Sequence, residues 1–294
     1  MADSKEKDHE DVLMEEIAGT AELAAGPSQK NAFSILMSPK KPERSKKSQQ
    51  TKKPWNQNPR SDKLKVPTAS GTFFGRDALA AYIANPASFS SSVVIYSNEN
   101  FVAIHDLYPK SVIHALLLPR TPSHLLLKHP FEALNSDPEF LASVQAETKE
   151  LKALVASELR RRYGKFSATE KAREEAMNSD NPPDELPPGR DWSQSIISGV
   201  HAGPSMNHIH VHVLSADMNS PCMKHRKHYN SFNTPFLVDV DDFPFAEEDL
   251  RLRYKEMKYL QEDLRCRKCG RGFEKDFDAL KAHLGAEFEA WKKV

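Results

Sequence analysis

The most regular alternation of polar and apolar positions in the chain lies between Pro204 and Leu214. Its centre reads His208, Ile209, His210, Val211, His212, Val213. Because successive side chains of a strand point to opposite faces, this pattern predicts a β-strand whose aliphatic face joins a core while three imidazoles face a cleft. The outer two imidazoles would lie about 13 Å apart, so one zinc ion with bonds of about 2.1 Å cannot reach all three. A purely structural strand, or a metal held by two of the histidines, remains open as an alternative.

Other apolar runs bounded by turn residues predict strands at residues 92–97, 101–107, 112–118 and 195–201. The sequence Asn98-Glu99-Asn100 joins the first two runs and is typical of a hairpin turn. Apolar residues at helical spacing predict helices at residues 73–85, 138–163 and 246–264. Together these elements predict an α+β fold in which an antiparallel sheet is flanked by helices.

Composition divides the chain into three parts. Residues 1–68 are acidic to about Glu22 and then rich in Pro, Ser, Lys and Gln, which predicts a disordered basic tail. Residues 69–243 form the predicted main domain, in which the Pro-rich residues 167–190 are expected to be a flexible insertion. Residues 244–294 are expected to form a connecting helix and a separate small module.

The predicted tail contains two features that indicate partners. The apolar island from Phe33 to Met37 has the form of a short segment that folds onto a repair-protein partner, or it is a chance cluster. Basic residues between Lys40 and Lys53 fit a nuclear-import signal, a nucleic-acid-binding arm or a merely solvated tail. We expect an intracellular protein located in the nucleus, with no membrane partner, because no apolar run approaches bilayer length and the N-terminus is too charged for a signal peptide.

The C-terminal module carries a metal-ligand pattern, C-x2-C-x13-H-x3-E, formed by Cys266, Cys269, His283 and Glu287. It resembles a Cys2His2 zinc finger, with Phe273 and Leu280 at core positions and with Glu287 where a histidine is usual. Such a small module buries too little apolar surface to fold alone, so one structural Zn²⁺ is expected to stabilise it. The alternative is a chance Cys-x2-Cys, and Cys222 is interpreted as unpaired.

The histidine strand also matches the signature of the histidine-triad superfamily, His-Φ-His-Φ-His-Φ-Φ with Φ apolar. Residues 199–208, residues 220–234 and the finger together resemble the aprataxin family within that superfamily, in particular its fungal forms. The resemblance implies a histidine-triad domain fused to a small C-terminal zinc finger. It also implies a DNA-repair hydrolase that removes AMP from 5′-adenylated DNA ends, left by abortive ligation, through a covalent His–AMP intermediate.

The same resemblance implies roles for individual residues. His210 is expected to be the nucleophile, with a main-chain carbonyl holding its other ring nitrogen. His208 and His212 would bind the phosphate together with Ser205, while His201 is the candidate acid for the leaving group. Further residues are expected near the AMP and its phosphate, without assigned roles for the last three: Lys227, Asp106, Lys110, His114. We expect no catalytic metal.

DNA enters this hypothesis through the finger, whose basic residues would grip a DNA backbone or form a merely solvated face. The candidate contacts are Lys268, Arg271, Lys275 and Lys281. The expected partner is adenylated nicked or broken double-stranded DNA, with RNA–DNA junctions as a further substrate and AMP as product. The alternatives are a generic histidine-triad nucleoside phosphoramidase or dinucleotide hydrolase, and a non-catalytic nucleotide- or DNA-binding protein.

Overall fold

A computed structural model describes residues 75–294 of the chain. The predicted tail, with its island from Phe33 to Met37, therefore lies outside the described residues. Within residues 75–294, no helix combines the length and apolar character needed to cross a bilayer.

The centre of the fold is a six-stranded sheet whose neighbouring strands are antiparallel, in the order β1-β2-β3-β5-β4-β6. Its strands are β1 (Val94–Ser97), β2 (Phe101–His105), β3 (His114–Pro119), β4 (Ile196–His201), β5 (Val211–Ser215) and β6 (Leu237–Val238). The predicted hairpin between β1 and β2 is confirmed, because the Asn98 carboxamide oxygen accepts hydrogen bonds from the main-chain N–H groups of Asn100 and Phe101. The predicted strand at residues 195–201 is also present as β4.

The helical layer is dominated by one long helix, as the sequence predicted. The helices are α1 (Ala80–Ala84), α2 (Pro130–Ser136), α3 (Pro138–Tyr163), α4 (Ala168–Met177), α5 (Arg226–Asn233) and α6 (Phe277–Trp291). Helix α3 begins at the Asp137 carboxylate, which accepts from the N–H of Phe140 at 2.9 Å, with Pro138 in the first turn. Its buried side, including Val144, Leu151 and Val155, packs on the sheet in the main core.

The predicted helix at residues 246–264 is wrong. The chain instead forms short 3-10 turns at Leu250–Arg253 and Tyr259–Gln261. Leu250 and Met257 are exposed, whereas Tyr254, Tyr259 and Leu260 contact the main core, so the apolar residues do not form one buried helical face. In addition, Lys258 has a φ of 47°, a left-handed conformation that an α-helix cannot continue.

Two other predictions need correction. The segment at residues 167–190 is not uniformly irregular, since it contains α4, which the Ser167 hydroxyl caps by accepting from the N–H of Glu170. The composition argument failed because Pro and Gly are confined to the second half of this segment. The helix predicted at residues 73–85 is reduced, within the described residues, to a 3-10 turn at Gly75–Asp77 and the short α1.

The C-terminal module has the ββα arrangement of a zinc finger. Strands β7 (Leu264–Arg265) and β8 (Gly272–Glu274) pair antiparallel and precede α6. A second apolar core joins this module to the sheet domain, and its members include Met223, Tyr229 and Phe232 from one side and Leu264, Phe273, Leu280 and Leu284 from the other. The finger is therefore packed against the main domain through α5.

Candidate active site and zinc finger

The histidine segment enters the sheet later than the alternation predicted. Strand β5 begins at Val211, where it pairs with Leu117 of β3, so His208 and His210 lie ahead of the strand. The N–H of Ile209 donates to the carbonyl of Leu126 at 2.9 Å, outside the sheet ladder. His210 is thus at the entrance of the strand, and the prediction that it lies mid-strand is wrong.

A main-chain carbonyl fixes the tautomer of His210. Nδ1 of His210 lies 2.8 Å from the carbonyl oxygen of His208. Because a carbonyl can only accept, Nδ1 must carry the ring proton, and the lone pair is left on Nε2. The predicted main-chain acceptor is present, and Nε2 has the protonation state that a nucleophile needs.

A hydrogen-bond chain through His114 fixes the tautomer of His212, and this tautomer is the opposite of that of His210. The N–H of Lys110 donates to Nδ1 of His114 at 3.1 Å, so the His114 proton resides on Nε2. Nε2 of His114 lies 2.9 Å from Nδ1 of His212 and donates to it, which places the proton of His212 on Nε2. Asp106 Oδ2 is 3.5 Å from the same His114 Nδ1, too far to compete with the main-chain donor. His212 therefore presents an N–H donor.

His201 on β4 lies beside His212, with the ring centroids 4.3 Å apart. Burial lowers the pKa of His201 well below its usual value, and nearby His210, His114 and Lys110 lower it further. Burial likewise lowers the pKa of His114 to about 4, and it lowers the pKa of His212. The imidazoles of this buried cluster are therefore neutral at neutral pH.

Three ring nitrogens of the cluster are buried without a hydrogen-bond partner among the described residues: His201 Nε2, His208 Nδ1 and His212 Nε2. Buried polar atoms are normally paired, and leaving one unpaired costs about 1–3 kcal/mol. A bound group rich in acceptor oxygens, such as a phosphate, would satisfy the donors among them. The arrangement would suit an anion held beside Nε2 of His210, and the roles expected of these histidines stay predictions.

The remaining residues predicted to contact AMP lie in a turn, in a loop and at the start of a helix. Asp106 and Lys110 belong to one turn, in which Asp106 Oδ1 accepts from the N–H of Tyr108 at 2.7 Å and Lys110 Nζ donates to the Tyr108 carbonyl at 2.8 Å. Ser205 lies half-buried in the loop that leads to His208. Lys227 lies in the first turn of α5. Their expected contacts with AMP stay predictions.

Sequence reasoning missed two residues near the cleft. Phe232 of α5 contacts the rings of His114, His201 and His212, with centroid distances of 5.4, 4.8 and 5.1 Å. His228 is buried, and its Nδ1 accepts from the N–H of Lys224 at 3.3 Å. Burial lowers the pKa of His228 to about 3. Only the amphipathic spacing of residues 226–233 could have indicated these inward positions.

Asp106, His114 and His212 bring their ligand atoms within 4.8 Å of one another, which is close enough for a metal site. Their nitrogens, however, are joined to each other, at 2.9 Å between His114 Nε2 and His212 Nδ1. Two nitrogens bound to one tetrahedral zinc at about 2.1 Å would be about 3.4 Å apart. This geometry favours a shared proton, and the absence of a catalytic metal stays a prediction.

The finger gathers its predicted zinc ligands. The ligand atoms of Cys266, Cys269 and His283 lie within 4.8 Å of one another, and Cys269 Sγ is 3.3 Å from His283 Nε2. Two thiolates and an imidazole are a typical zinc donor set, so the site fits a structural zinc. Glu287 Oε1 lies 3.7 Å from His283 Nε2, one helical turn along α6, which suits a fourth ligand. Its other oxygen pairs with Lys268 at 2.9 Å.

The candidate DNA-contacting residues of the finger are all exposed: Lys268, Arg271, Lys275, Lys281. They differ in how they are held. Lys268 is paired with Glu287, Arg271 lies over the ring of Phe273 at 5.1 Å, and Lys281 lies over Phe277 at 5.8 Å. These contacts keep positive charge on the finger surface without burying it.

Helix α5 connects the finger to the catalytic cleft. The Tyr229 hydroxyl donates to the carbonyl of Arg265 at 2.9 Å and accepts from the N–H of Arg267 at 3.2 Å. Phe232, one turn along, contacts the histidine rings described above. One helix therefore touches the zinc knuckle and the catalytic cluster at the same time.

Comparisons with known proteins agree with this architecture. A family profile described as the HIT domain matches residues 88–219. A second, described as the C2HE / C2H2 / C2HC zinc-binding finger, matches residues 233–290. The chain is thus a histidine-triad (HIT) domain fused to a C-terminal zinc-binding finger.

Relatives with both parts define the family. An aprataxin-like protein of Schizosaccharomyces pombe is 33% identical over 217 residues, which cover 74% of this chain and 82% of the relative. One of Saccharomyces cerevisiae is 34% identical over 221 residues, covering 73% and 96%. The crystal structure of the aprataxin ortholog Hnt3 from S. pombe matches with a TM-score of 0.59 at 33% identity, over 74% of this chain and 94% of that chain. The chain belongs to the aprataxin family.

Proposed function

We propose that this protein is a DNA-repair hydrolase that removes AMP from 5′-adenylated DNA ends and restores the 5′-phosphate. The observation that carries the proposal is the tautomer of His210, whose Nδ1 is held by the His208 carbonyl so that Nε2 is the basic nitrogen. The aprataxin relatives, and the solved complex of the aprataxin ortholog Hnt3 with DNA, support the choice of substrate; that structure matches with a TM-score of 0.56 at 32% identity.

In the first step, His210 Nε2 attacks the α-phosphorus of the adenylate. The bond from that phosphorus to the bridging anhydride oxygen breaks, and this oxygen leaves with the DNA 5′-phosphate while AMP becomes covalently attached to His210. The N–H of His212, and Ser205 and His208, would stabilise the charge on the non-bridging oxygens. In the second step, water attacks the same phosphorus, which releases AMP and regenerates the neutral imidazole.

His201 is the proposed acid that protonates the leaving phosphate. Its low pKa opposes this role, because burial keeps the imidazole neutral. A bound adenylate brings negative charge into the cleft, and a nearby negative charge raises the pKa of a histidine. We therefore propose that substrate binding itself charges His201.

The finger would supply the preference for DNA over small nucleotides. The exposed cations Lys268, Arg271, Lys275 and Lys281 suit the grip of a DNA backbone, which gives salt-dependent binding without sequence readout. One Zn²⁺ held by Cys266, Cys269, His283 and Glu287 would maintain this surface. RNA–DNA junctions and a nuclear location belong to the same proposal, together with an import role for the basic residues between Lys40 and Lys53.

The test is turnover of a nicked duplex carrying a 5′-adenylate. His210→Ala should lower kcat by at least about 10³-fold, because it removes the nitrogen that forms the covalent intermediate. Quenching the wild-type reaction with an alkaline denaturant should trap AMP on the protein, because the phosphorus–nitrogen bond to histidine is stable to base and labile to acid, and His210→Ala should trap none. His105→Ala is the matched control, since His105 is an exposed histidine of β2 whose charged neighbours, Arg162 and Glu158, belong to α3. Full activity of His210→Ala would overturn the mechanism.

The same assay distinguishes the alternatives. A generic phosphoramidase would hydrolyse AMP joined to a lysine side chain far faster than the adenylated nick. A non-catalytic binding protein would hydrolyse neither substrate. The proposal requires that the wild-type protein process the adenylated nick with the higher kcat/KM.

A further inference from the structure

The finger helix continues beyond its zinc ligands and ends against the catalytic domain. Phe288 and Trp291 of α6 form an aromatic group with Tyr163 at the end of α3, with centroid distances of 5.4 Å to Phe288 and 5.7 Å to Trp291. The Trp291 indole N–H donates to the hydroxyl of Ser195 at 3.0 Å. The far end of the finger therefore has its own contact with the catalytic domain.

Arg190, the last residue of the segment expected to be flexible, lies over the rings of two tryptophans that contact each other. Its guanidinium carbon is 4.3 Å from the ring of Trp192 in the catalytic domain and 4.3 Å from the ring of Trp291 in the finger. Nη1 of Arg190 also donates to the main-chain carbonyl of Trp291 at 2.6 Å. The two rings meet edge to face, with centroids 5.6 Å apart, and a half-buried cation that contacts both rings and bonds to the main chain of one holds them in this geometry.

The same segment satisfies further carbonyls beyond the end of α6. The last carbonyls of a helix have no partner within the helix, so outside donors can anchor them. The N–H of Ala168 donates to the carbonyl of Lys293 at 3.0 Å, and the Ser167 hydroxyl donates to that of Val294 at 2.6 Å. Both ends of residues 167–190 therefore bind the same terminus of the finger helix.

Helix α4 braces this arrangement from behind. Glu170 of α4 accepts from the indole N–H of Trp192 at 2.9 Å and pairs with Arg160 of α3 at 3.0 Å. Trp192, which forms one side of the Arg190 stack, is 4% exposed and is thereby fixed to α3. We call the set Ser167, Glu170, Arg190, Trp192 and Trp291 the C-terminal clamp.

Two separated attachments determine the orientation of the finger. The first is at the zinc knuckle, where Tyr229 of α5 bonds to Arg265 and Arg267. The second is the C-terminal clamp at the other end of α6. A single attachment leaves the finger able to pivot, whereas two attachments at opposite ends of the module fix it.

From this geometry we propose that Arg190 is a positioning residue, which through the C-terminal clamp holds the finger so that its basic surface and His210 engage one DNA duplex. The inference rests on the proposed function, because it matters only if the substrate spans both parts. It assigns residues 167–190 a role in DNA presentation. It also implies that small adenylates, which need only the histidine cleft, are processed independently of the clamp.

The experiment uses the full chain with Arg190→Ala, assayed on the adenylated nick and on AMP joined to a lysine side chain. We expect KM for the nick to rise about 10-fold with kcat nearly unchanged, because the finger is no longer held in the orientation in which it and the cleft contact one duplex. Turnover of the small adenylate and zinc content should stay at wild-type values. Arg161→Ala is the matched control, because Arg161 is an exposed arginine of α3 that pairs with Glu158 of the same helix.

A double-mutant cycle separates positioning from general destabilisation. If the clamp acts only through the finger, Arg190→Ala should cause no further loss in a Cys269→Ala background, where the zinc site is broken. Arg190→Lys, which keeps the charge and loses the planar stack, should restore only part of the affinity. An equal loss on both substrates, or unchanged KM for the nick, overturns the proposal. If the wild-type protein itself fails on the nick, the proposed function fails instead.

Discussion

Two main-chain groups decide which ring nitrogens can react in the histidine cleft. The His208 carbonyl places the proton of His210 on Nδ1, and the N–H of Lys110, acting through His114, places the proton of His212 on Nε2. Neighbouring imidazoles of the same type thus become a base and a donor. Burial lowers the pKa of His212 and so keeps its ring in the neutral form that this division requires.

Removing His114 should disturb the donor and leave the nucleophile in place. In His114→Ala, Nδ1 of His212 loses its donor, so His212 can adopt the other tautomer. A wrong tautomer of a catalytic histidine costs up to about 10⁴-fold, and we expect kcat to fall on the order of 10²-fold with a small change in KM. Nitrogen-15 NMR of labelled histidines should show Nε2–H for His212 in the wild-type protein and a mixture in the variant.

The same spectra also show which result would contradict the predicted tautomer of His212. His210 should show Nδ1–H in both proteins, because its carbonyl partner is unaffected. If the wild-type spectrum placed the proton of His212 on Nδ1, the hydrogen-bond chain from Lys110 would run in the other direction. His105→Ala again serves as the control, with unchanged spectra for His210 and His212.

At this scale the sequence could predict the types of residue and not their contacts. Alternation identified His208, His210 and His212, and the nucleophile role implied by the resemblance predicted the main-chain acceptor of His210. The contact between His114 and His212 joins residues 98 positions apart, so it follows from the pairing of β3 with β5. The position of Phe232 against three imidazoles likewise depends on how α5 packs.

At the scale of elements, the strands and α3 were predictable because burial enforces their periodicity. The predicted helix at residues 246–264 failed because its apolar spacing is not matched by burial, with Leu250 62% exposed. Pairing of β4 with β6 shows another limit: a Cβ at Gly199 would lie 2.4 Å from the carbonyl oxygen of Val238. Glycine is required at this position because two strands approach closely there, and the sequence around Gly199 does not reveal this approach.

The junction of β3 and β5 is tied by a buried carboxyl group, and its titration should appear in the pH dependence of stability. Asp217 accepts from the N–H groups of Val112 and Asn219 and bonds to the Ser215 hydroxyl. Burial raises its pKa from 3.8 to about 6. A raised folded-state pKa means that its stabilising contribution is present below the unfolded-state pKa and is lost as pH rises through about 6.

Asp217→Asn removes this titration. Relative to the wild-type protein, the variant should gain on the order of 2–3 kcal/mol in free energy of unfolding between about pH 4 and about pH 7. Urea unfolding at a series of pH values measures this difference. Asp184→Asn, at an exposed carboxylate in irregular chain, should run parallel to the wild-type curve. A parallel curve for Asp217→Asn as well would show that the carboxyl group stays ionised throughout.

At the scale of the whole molecule, the zinc site and the catalytic cleft share one apolar core. Cys266 and Leu284 of the finger pack in the same cluster as Tyr229 and Phe232 of α5. The larger core under α3 contains no zinc ligand. Loss of zinc should therefore unfold the finger first and leave the sheet domain folded.

Cys269→Ala tests this hierarchy, with Cys222→Ala as the matched control because Cys222 lies outside the ligand cluster. The variant should lose bound zinc, and its kcat/KM for the adenylated nick should fall by more than about 10-fold, since the DNA-gripping surface no longer has a fixed shape. Turnover of AMP joined to a lysine side chain should fall much less, because His210 and its hydrogen-bond partners belong to the sheet domain.

Chelator treatment of the wild-type protein should reproduce both effects, and added zinc should reverse them only where Cys269 is intact. Equal loss on both substrates would mean that Phe232 transmits the collapse of the finger to the histidines, and undiminished turnover of the nick would remove the finger from substrate recognition.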